Sequence, residues 1–249
     1  MAGPMEQFQI KKVVDLSIAG MDVSLTNSGV WMLVALGFAG IFMLLATSKL
    51  SIIPGRMQAA AEYLHEFVAN MLHENIGPEG KKYVPLVFTL FMFVLVANLL
   101  GMVPFVGAFT STSHIAVTFG LAAIVFLVVL AVGFYKHGLH FFSLFVPKGV
   151  PIYISWFVVI IEFLSFLSRP FTLAIRLFAN MTAGHVLMKV FGGFVVGIGA
   201  AGGLLSLGAI LPFVTNIALT GLELLIAVVQ AYVFALLTSI YLNDAVNLH

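Results

Sequence analysis

The sequence predicts an all-α protein that crosses a membrane several times, with about six helices. Three observations carry this. Hydrophobic residues make up 61% of the 249 residues and charged residues only 8%, where a soluble domain carries roughly 25% charge. Mean hydropathy is +1.14. Several uncharged runs are long enough to span a bilayer, which takes about 20 apolar residues. The same composition excludes whole function classes. Net charge is +1, so no broad basic surface suits nucleic acid, and the expected surroundings are lipid. Cys is absent, which removes disulfides, thiol catalysis and Cys-based metal sites. Haem or quinone chemistry would rest on seven scattered His residues. His137 and His140 flank a loop without further ligands, so neither metal nor cofactor is expected. No hydrophilic domain exists that could hold a nucleotide.

Along the chain, residues 1–28 form a mixed, polar tail with Lys11, Lys12 and Asp15, unlike a signal peptide. Residues 29–46 are uncharged and read as the first transmembrane helix. Residues 83–106 and 115–135 read as a transmembrane hairpin. Between the first two spans, residues 55–76 differ. Met57, Ala60, Ala61, Leu64, Phe67, Val68, Met71 and Leu72 recur at helical spacing, while Glu62, His65, Glu66, His73 and Glu74 take the other side. That is an amphipathic helix lying on the membrane surface, closed by Gly77-Pro78. Residues 150–247 read as a long helical hairpin, within one membrane domain over 1–249.

Basic residues orient the spans. Lys49, Arg56, Lys81, Lys82, Lys136 and Lys148 fall on one side, against Lys11 and Lys12 on the other. The richer side is cytoplasmic in a bacterial inner (plasma) membrane, or matrix in a mitochondrial inner membrane. The loop containing Thr110 then faces outward.

The last hundred residues embed charges in apolar sequence: Glu162, Arg169, Arg176, Lys189, Glu223 and Asp244, with His185. Ionisable groups at membrane depth cost free energy and normally face protein or water along an ion path. Buried structural ion pairs are the alternative. Lys189 reads as a helix-end or snorkelling charge. Helical residues advance about 100° each. Glu162, Arg169 and Arg176 therefore form one stripe, Asn180 stays near it, and His185 points the opposite way. Pro170 should kink this helix. A second stripe holds Asn216, Glu223, Gln230 and Asp244. Folding the two helices antiparallel about Gly202-Gly203 sets Glu162 by Asp244, Arg176 by Gln230, and His185 by Glu223.

From Ile175 to Leu187 the chain reads IRLFANMTAGHVL, and ELLIAVVQAYVFALLTSIYLNDA and ANLLGMVPF lie elsewhere in it. These motifs resemble subunit a of the F-type ATP synthase membrane (Fo) sector. The resemblance runs from about Val30 to the C-terminus. It implies proton translocation against a rotating ring of c subunits, with the last two helices as a long, strongly tilted hairpin along that ring. Peripheral-stalk b-type subunits and other ATP synthase subunits are the further implied partners. Carried over by motif, Arg176 is the essential charge facing a c-ring carboxylate, with Asn180 and Gln230 as polar neighbours. His185 and Glu223 line the outer half-channel, Asn98 lies near its entry, and Glu162 and Asp244 line the inner half-channel. His on the first helix and acid on the second is the mitochondrial arrangement, which implies a bacterium close to that lineage or a mitochondrion. From the residues alone, His185 is either a relay or a core histidine bonded to a neighbour, and Arg169 is a structural charge for Glu162 or lipid.

Two other functions compete with a stator proton channel. A proton-coupled secondary transporter should show inverted repeats and a midplane site, and no repeat is visible. A redox-linked pump subunit should show His ligands at matched depths, and only His185 lies deep in an apolar segment, apart from His114 at a helix start.

Overall fold

The computed structural model describes residues 12–15, 17–18, 21–22, 24–103, 110–145 and 152–247. Lys11, Lys148, the end of the expected 83–106 span and the first two residues of the expected 150–247 hairpin lie outside the described residues. Among those described there are six α-helices: α1 Asn27–Thr47, α2 Arg56–Ile76, α3 Val84–Gly101, α4 Ile115–His137, α5 Ile152–Gly199 and α6 Ile210–Val246. Five helical segments are long and apolar enough to cross a membrane, and α2 is the sixth helix, outside that set.

The segment expected as a plain polar tail contains four short strands: β1 Lys12–Val14, β2 Ser17–Ile18, β3 Met21–Asp22 and β4 Leu25–Thr26. β1 pairs antiparallel with β4, and β2 with β3. Strands of two or three residues are too short for an alternating pattern to register. Helix α1 starts at Asn27, because Thr26 Oγ1 accepts from the Gly29 N–H at 3.3 Å. That is a threonine N-cap satisfying a free first-turn donor.

Contacts divide the chain into two compact units. The first holds described residues within Met1–Ala39, Phe93–His114 and Leu177–Ala231; the second holds those within Gly40–Met92, Ile115–Arg176 and Tyr232–His249. In the second unit, α2 buries Gln58, Ala61, Val68, Met71, Leu72 and Ile76. Its apolar stripe is narrower than the sequence pattern, since Met57 is 47% and Phe67 38% exposed. Gln58 fastens the preceding loop: its amide donates to Ser51 O at 3.1 Å and accepts from Ser51 N at 3.2 Å. The core of this unit includes the fully buried Leu72, Val87, Val125, Phe141, Phe234 and Leu242.

In the first unit, α5 and α6 run antiparallel. His185 meets Glu223, Met188 meets Thr220, and Gly192 faces Asn216. Each step up one helix is matched by an equal step down the other. The turn lies at the double glycine, where Gly202 and Gly203 adopt φ of 69° and 60°, a region open to glycine and strained for other residues.

Helix α5 has 48 residues, about 72 Å at 1.5 Å per residue. A bilayer's hydrocarbon core is only about 30 Å thick. Apolar side chains stay exposed along its whole length, from Trp156 and Phe163 to Phe194 and Val196.

Candidate functional site

Two polar centres form, one in each unit. In the first unit, Glu223 is 2% exposed. Neither of its carboxylate oxygens has a hydrogen-bond partner among the described residues. His185, also buried, brings Nε2 to 3.6 Å from Glu223 Oε1. The pair expected from antiparallel spacing is thus brought together, but beyond hydrogen-bond length. Gly184 makes the approach of α5 to Glu223 feasible. A Cβ there would stand 2.8 Å from Glu223 Oε1 and 2.9 Å from Cδ.

His185 Nε2 is instead hydrogen-bonded to Thr110 Oγ1 at 2.7 Å. Thr110 precedes a tight 3-10 turn, Ser111–Ser113, that is buried throughout. Thr112 donates to Asn98 Oδ1 at 2.8 Å, Asn98 Nδ2 donates to Ala227 O at 3.2 Å, and Ser111 donates to Ser28 O at 3.3 Å. Thr182, from the NMTAGH stretch, donates to Ser113 O at 3.4 Å. Asn98 is fully buried and Gln230 nearly so, while Asn180 is half-buried. The Thr110 position, expected in an outward-facing loop, is buried at 6% exposure, because its hydroxyl is drawn to His185. Hydroxyl residues carry no charge or periodicity signal. The run Thr110 to His114 before an apolar span was the available clue. Burial holds the His114 imidazole below its ordinary pKa range, because desolvation disfavours the charged ring.

In the second unit, Asp244 does not pair with Glu162 as the antiparallel spacing predicts. Arg169 Nη1 donates to Asp244 Oδ2 at 2.6 Å. The guanidinium carbon lies 5.2 Å from the Phe166 ring centroid and 5.1 Å from that of Tyr241, within cation–π range of both. This choice of partner has a physical cause. A carboxylate in apolar surroundings gains from a guanidinium and loses beside a second carboxylate. Arg169 lies on the same stripe as Glu162, two turns along. Glu162 is half-exposed and joins no ion pair among the described residues. Arg176 is exposed on α5, beside the exposed Ile175 and with Phe171 also exposed nearby. No acidic side chain lies within salt-bridge distance of it among the described residues.

A family model described as "ATP synthase A chain" matches residues 29–243. An ATP synthase subunit a of Rhodospirillum rubrum is 51% identical over 249 residues, covering 100% of both chains. The subunits a of Mesorhizobium japonicum and Rhizobium leguminosarum bv. trifolii are each 55% identical over 244 residues, or 98% of this chain and 96% and 97% of theirs. With these bacterial relatives and five apolar segments of spanning length, the chain is a multi-pass protein of a bacterial inner membrane. A model match over most of the sequence and identity above half along its full length show that the chain belongs to the ATP synthase A chain family.

Proposed function

We propose that this chain is the proton-conducting stator subunit of an F-type ATP synthase, giving two offset half-channels to a rotating c-ring and working with peripheral-stalk b-type and other ATP synthase subunits. The observation that carries the proposal is Arg176. It is exposed on an apolar helix face with no acidic partner in its own chain among the described residues. A guanidinium keeps its proton at any physiological pH, so within a membrane it needs an anion from elsewhere. A carboxylate on a passing ring subunit fits that need.

The other residues take roles that follow from their settings. Glu223 and His185 sit close enough for proton exchange after a small movement, with Asn98 near the entry of the outer half-channel and Asn180 and Gln230 as further polar residues of the proton path. His185 suits a relay because an ordinary imidazole titrates near neutrality. Glu162 and Asp244 serve the inner half-channel, Asp244 through the oxygen that Arg169 does not hold. The fixed charge of Arg176 attracts the deprotonated ring carboxylate and repels hydronium. Protons therefore cannot cross directly between half-channels. Each must board the ring on one side and ride round before leaving on the other, which turns a proton gradient into torque.

The test is Arg176→Ala, with pumping and passive proton flux measured in the same vesicles after assembly is confirmed. ATP synthesis and ATP-driven pumping should stop while passive flux persists or rises. Arg176→Lys should also fail to couple, since it loses the planar fork. An assembled Arg176→Ala complex that pumps near the normal rate refutes the role.

A further inference from the structure

His185 Nε2 faces two oxygens. Thr110 Oγ1 is 2.7 Å away and Glu223 Oε1 is 3.6 Å away. Hydrogen bonds between nitrogen and oxygen close at about 2.7–3.2 Å, so the hydroxyl holds the nitrogen and the carboxylate does not. A ring movement of under about 1 Å would reverse this.

Thr110 is itself held firmly. A Cβ on Gly101 would stand 2.6 Å from Thr110 Oγ1, 2.7 Å from Cγ2 and 2.9 Å from Cβ. Gly101, at the end of α3, is thus the seat that admits the threonine. Ser113 N–H donates to Thr110 O at 3.0 Å, and the adjoining Ser111 and Thr112 are bonded to Ser28 and Asn98. A threonine so fixed dictates where the imidazole rests.

We propose that Thr110, seated on Gly101, is a positioning residue that holds His185 Nε2 off Glu223, so that proton transfer waits on release of the ring from the hydroxyl. This rests on the proton-path reading above. In the transfer, the Nε2–H bond of the imidazolium breaks as an Oε1–H bond forms. The ring is left neutral and the carboxylate becomes the acid. Without the hydroxyl, Nε2 settles against Glu223 and the resting separation is lost.

The experiment compares Thr110→Val, which keeps the shape, with Thr110→Ser, which keeps the hydroxyl. Both are assayed in the assembled complex in vesicles. Histidine is labelled with nitrogen-15, and the His185 resonance is assigned by its loss in His185→Gln. Thr110→Val should move the Nε2 resonance and raise passive proton flux about fivefold, the size of one lost hydrogen bond. Thr110→Ser should restore both. An unmoved resonance or a slowed flux in Thr110→Val, or a serine variant as altered as the valine, overturns the proposal. Glu223→Gln is measured alongside. If it conducts normally, the proton-path reading falls and this inference with it. If it blocks conduction while Thr110→Val leaves His185 unmoved, only the positioning role falls.

Discussion

Glu223 and Asp244 both come from α6 and both face a basic side chain of α5, yet His185 Nε2 stays 3.6 Å from the first while Arg169 donates to the second at 2.6 Å. The surroundings differ as much as the distances. Glu223 is packed over a glycine, with neither oxygen hydrogen-bonded among the described residues. Asp244 meets a guanidinium flanked by the rings of Phe166 and Tyr241. An imidazole can give up and regain a proton near neutral pH; a guanidinium cannot. The same pairing of acid and base along two helices can therefore serve transfer in one unit and anchorage in the other.

That contrast is broken most decisively by neutralising each acid in turn. Glu223→Gln should leave assembly intact and cut passive proton flux about a hundredfold, the low end for a lost proton-transfer group. Asp244→Asn should instead act mainly on folding, lowering stability by about 1.5–3 kcal/mol for a lost charged hydrogen bond, with a lesser loss of flux through the inner half-channel. Thermal unfolding and vesicle flux on the same samples separate the two. Replacing Arg169 and Asp244 together with leucine should recover much of that stability; a double variant no better than Asp244→Asn alone would show that Arg169 is not the anchor.

Gly184→Ala gives a smaller effect that sharpens the comparison. The new methyl meets a flexible carboxylate tip, so stability should fall by only about 1 kcal/mol. Glu223 must turn aside, and flux should drop by a larger factor than assembly does. Equal losses in flux and assembly would mark Gly184 as packing alone.

The smallest effect concerns His114, beside the hydroxyl turn. Burial lowers its folded-state pKa, so the unfolded chain binds more protons as the solution is acidified. The stability this neutral ring contributes is present above its ordinary value of about 6.5 and is lost as pH falls below it. His114→Gln should flatten the decline in unfolding temperature on the acid side, by comparison with the native chain. An unchanged acid-side slope would remove His114 from the account.

Much of this was legible in the sequence. The fold class follows from apolar content and span-length runs, and the antiparallel meeting of His185 with Glu223 follows from equal steps about a double glycine. Asp244 escaped that arithmetic because index matching treats helices as straight rods and every side chain as equally long. Pro170 removes a backbone donor within α5, and an arginine side chain reaches further than a glutamate. Thr110 and Thr112 were invisible for another reason. A neutral hydroxyl in an apolar chain acquires meaning only from what stands opposite it. The strands before α1 are two or three residues long, below the window in which periodicity can be read.

Asn98 carries a consequence for hydrogen atoms. Its amide has a donor end and an acceptor end, and the Ala227 carbonyl can only accept. The nitrogen must therefore face Ala227 and the oxygen must face Thr112, as observed. Thr112 has one hydrogen and must spend it on Asn98 Oδ1. Its hydroxyl is frozen in direction and cannot swap between giving and receiving. Thr110, two residues earlier, has no such master: it can donate to His185 Nε2, or accept from it while its own hydrogen turns toward Gly101 O at 3.4 Å. One turn of chain thus sets an insulating hydroxyl next to a reversible one, and Asn98 decides which is which.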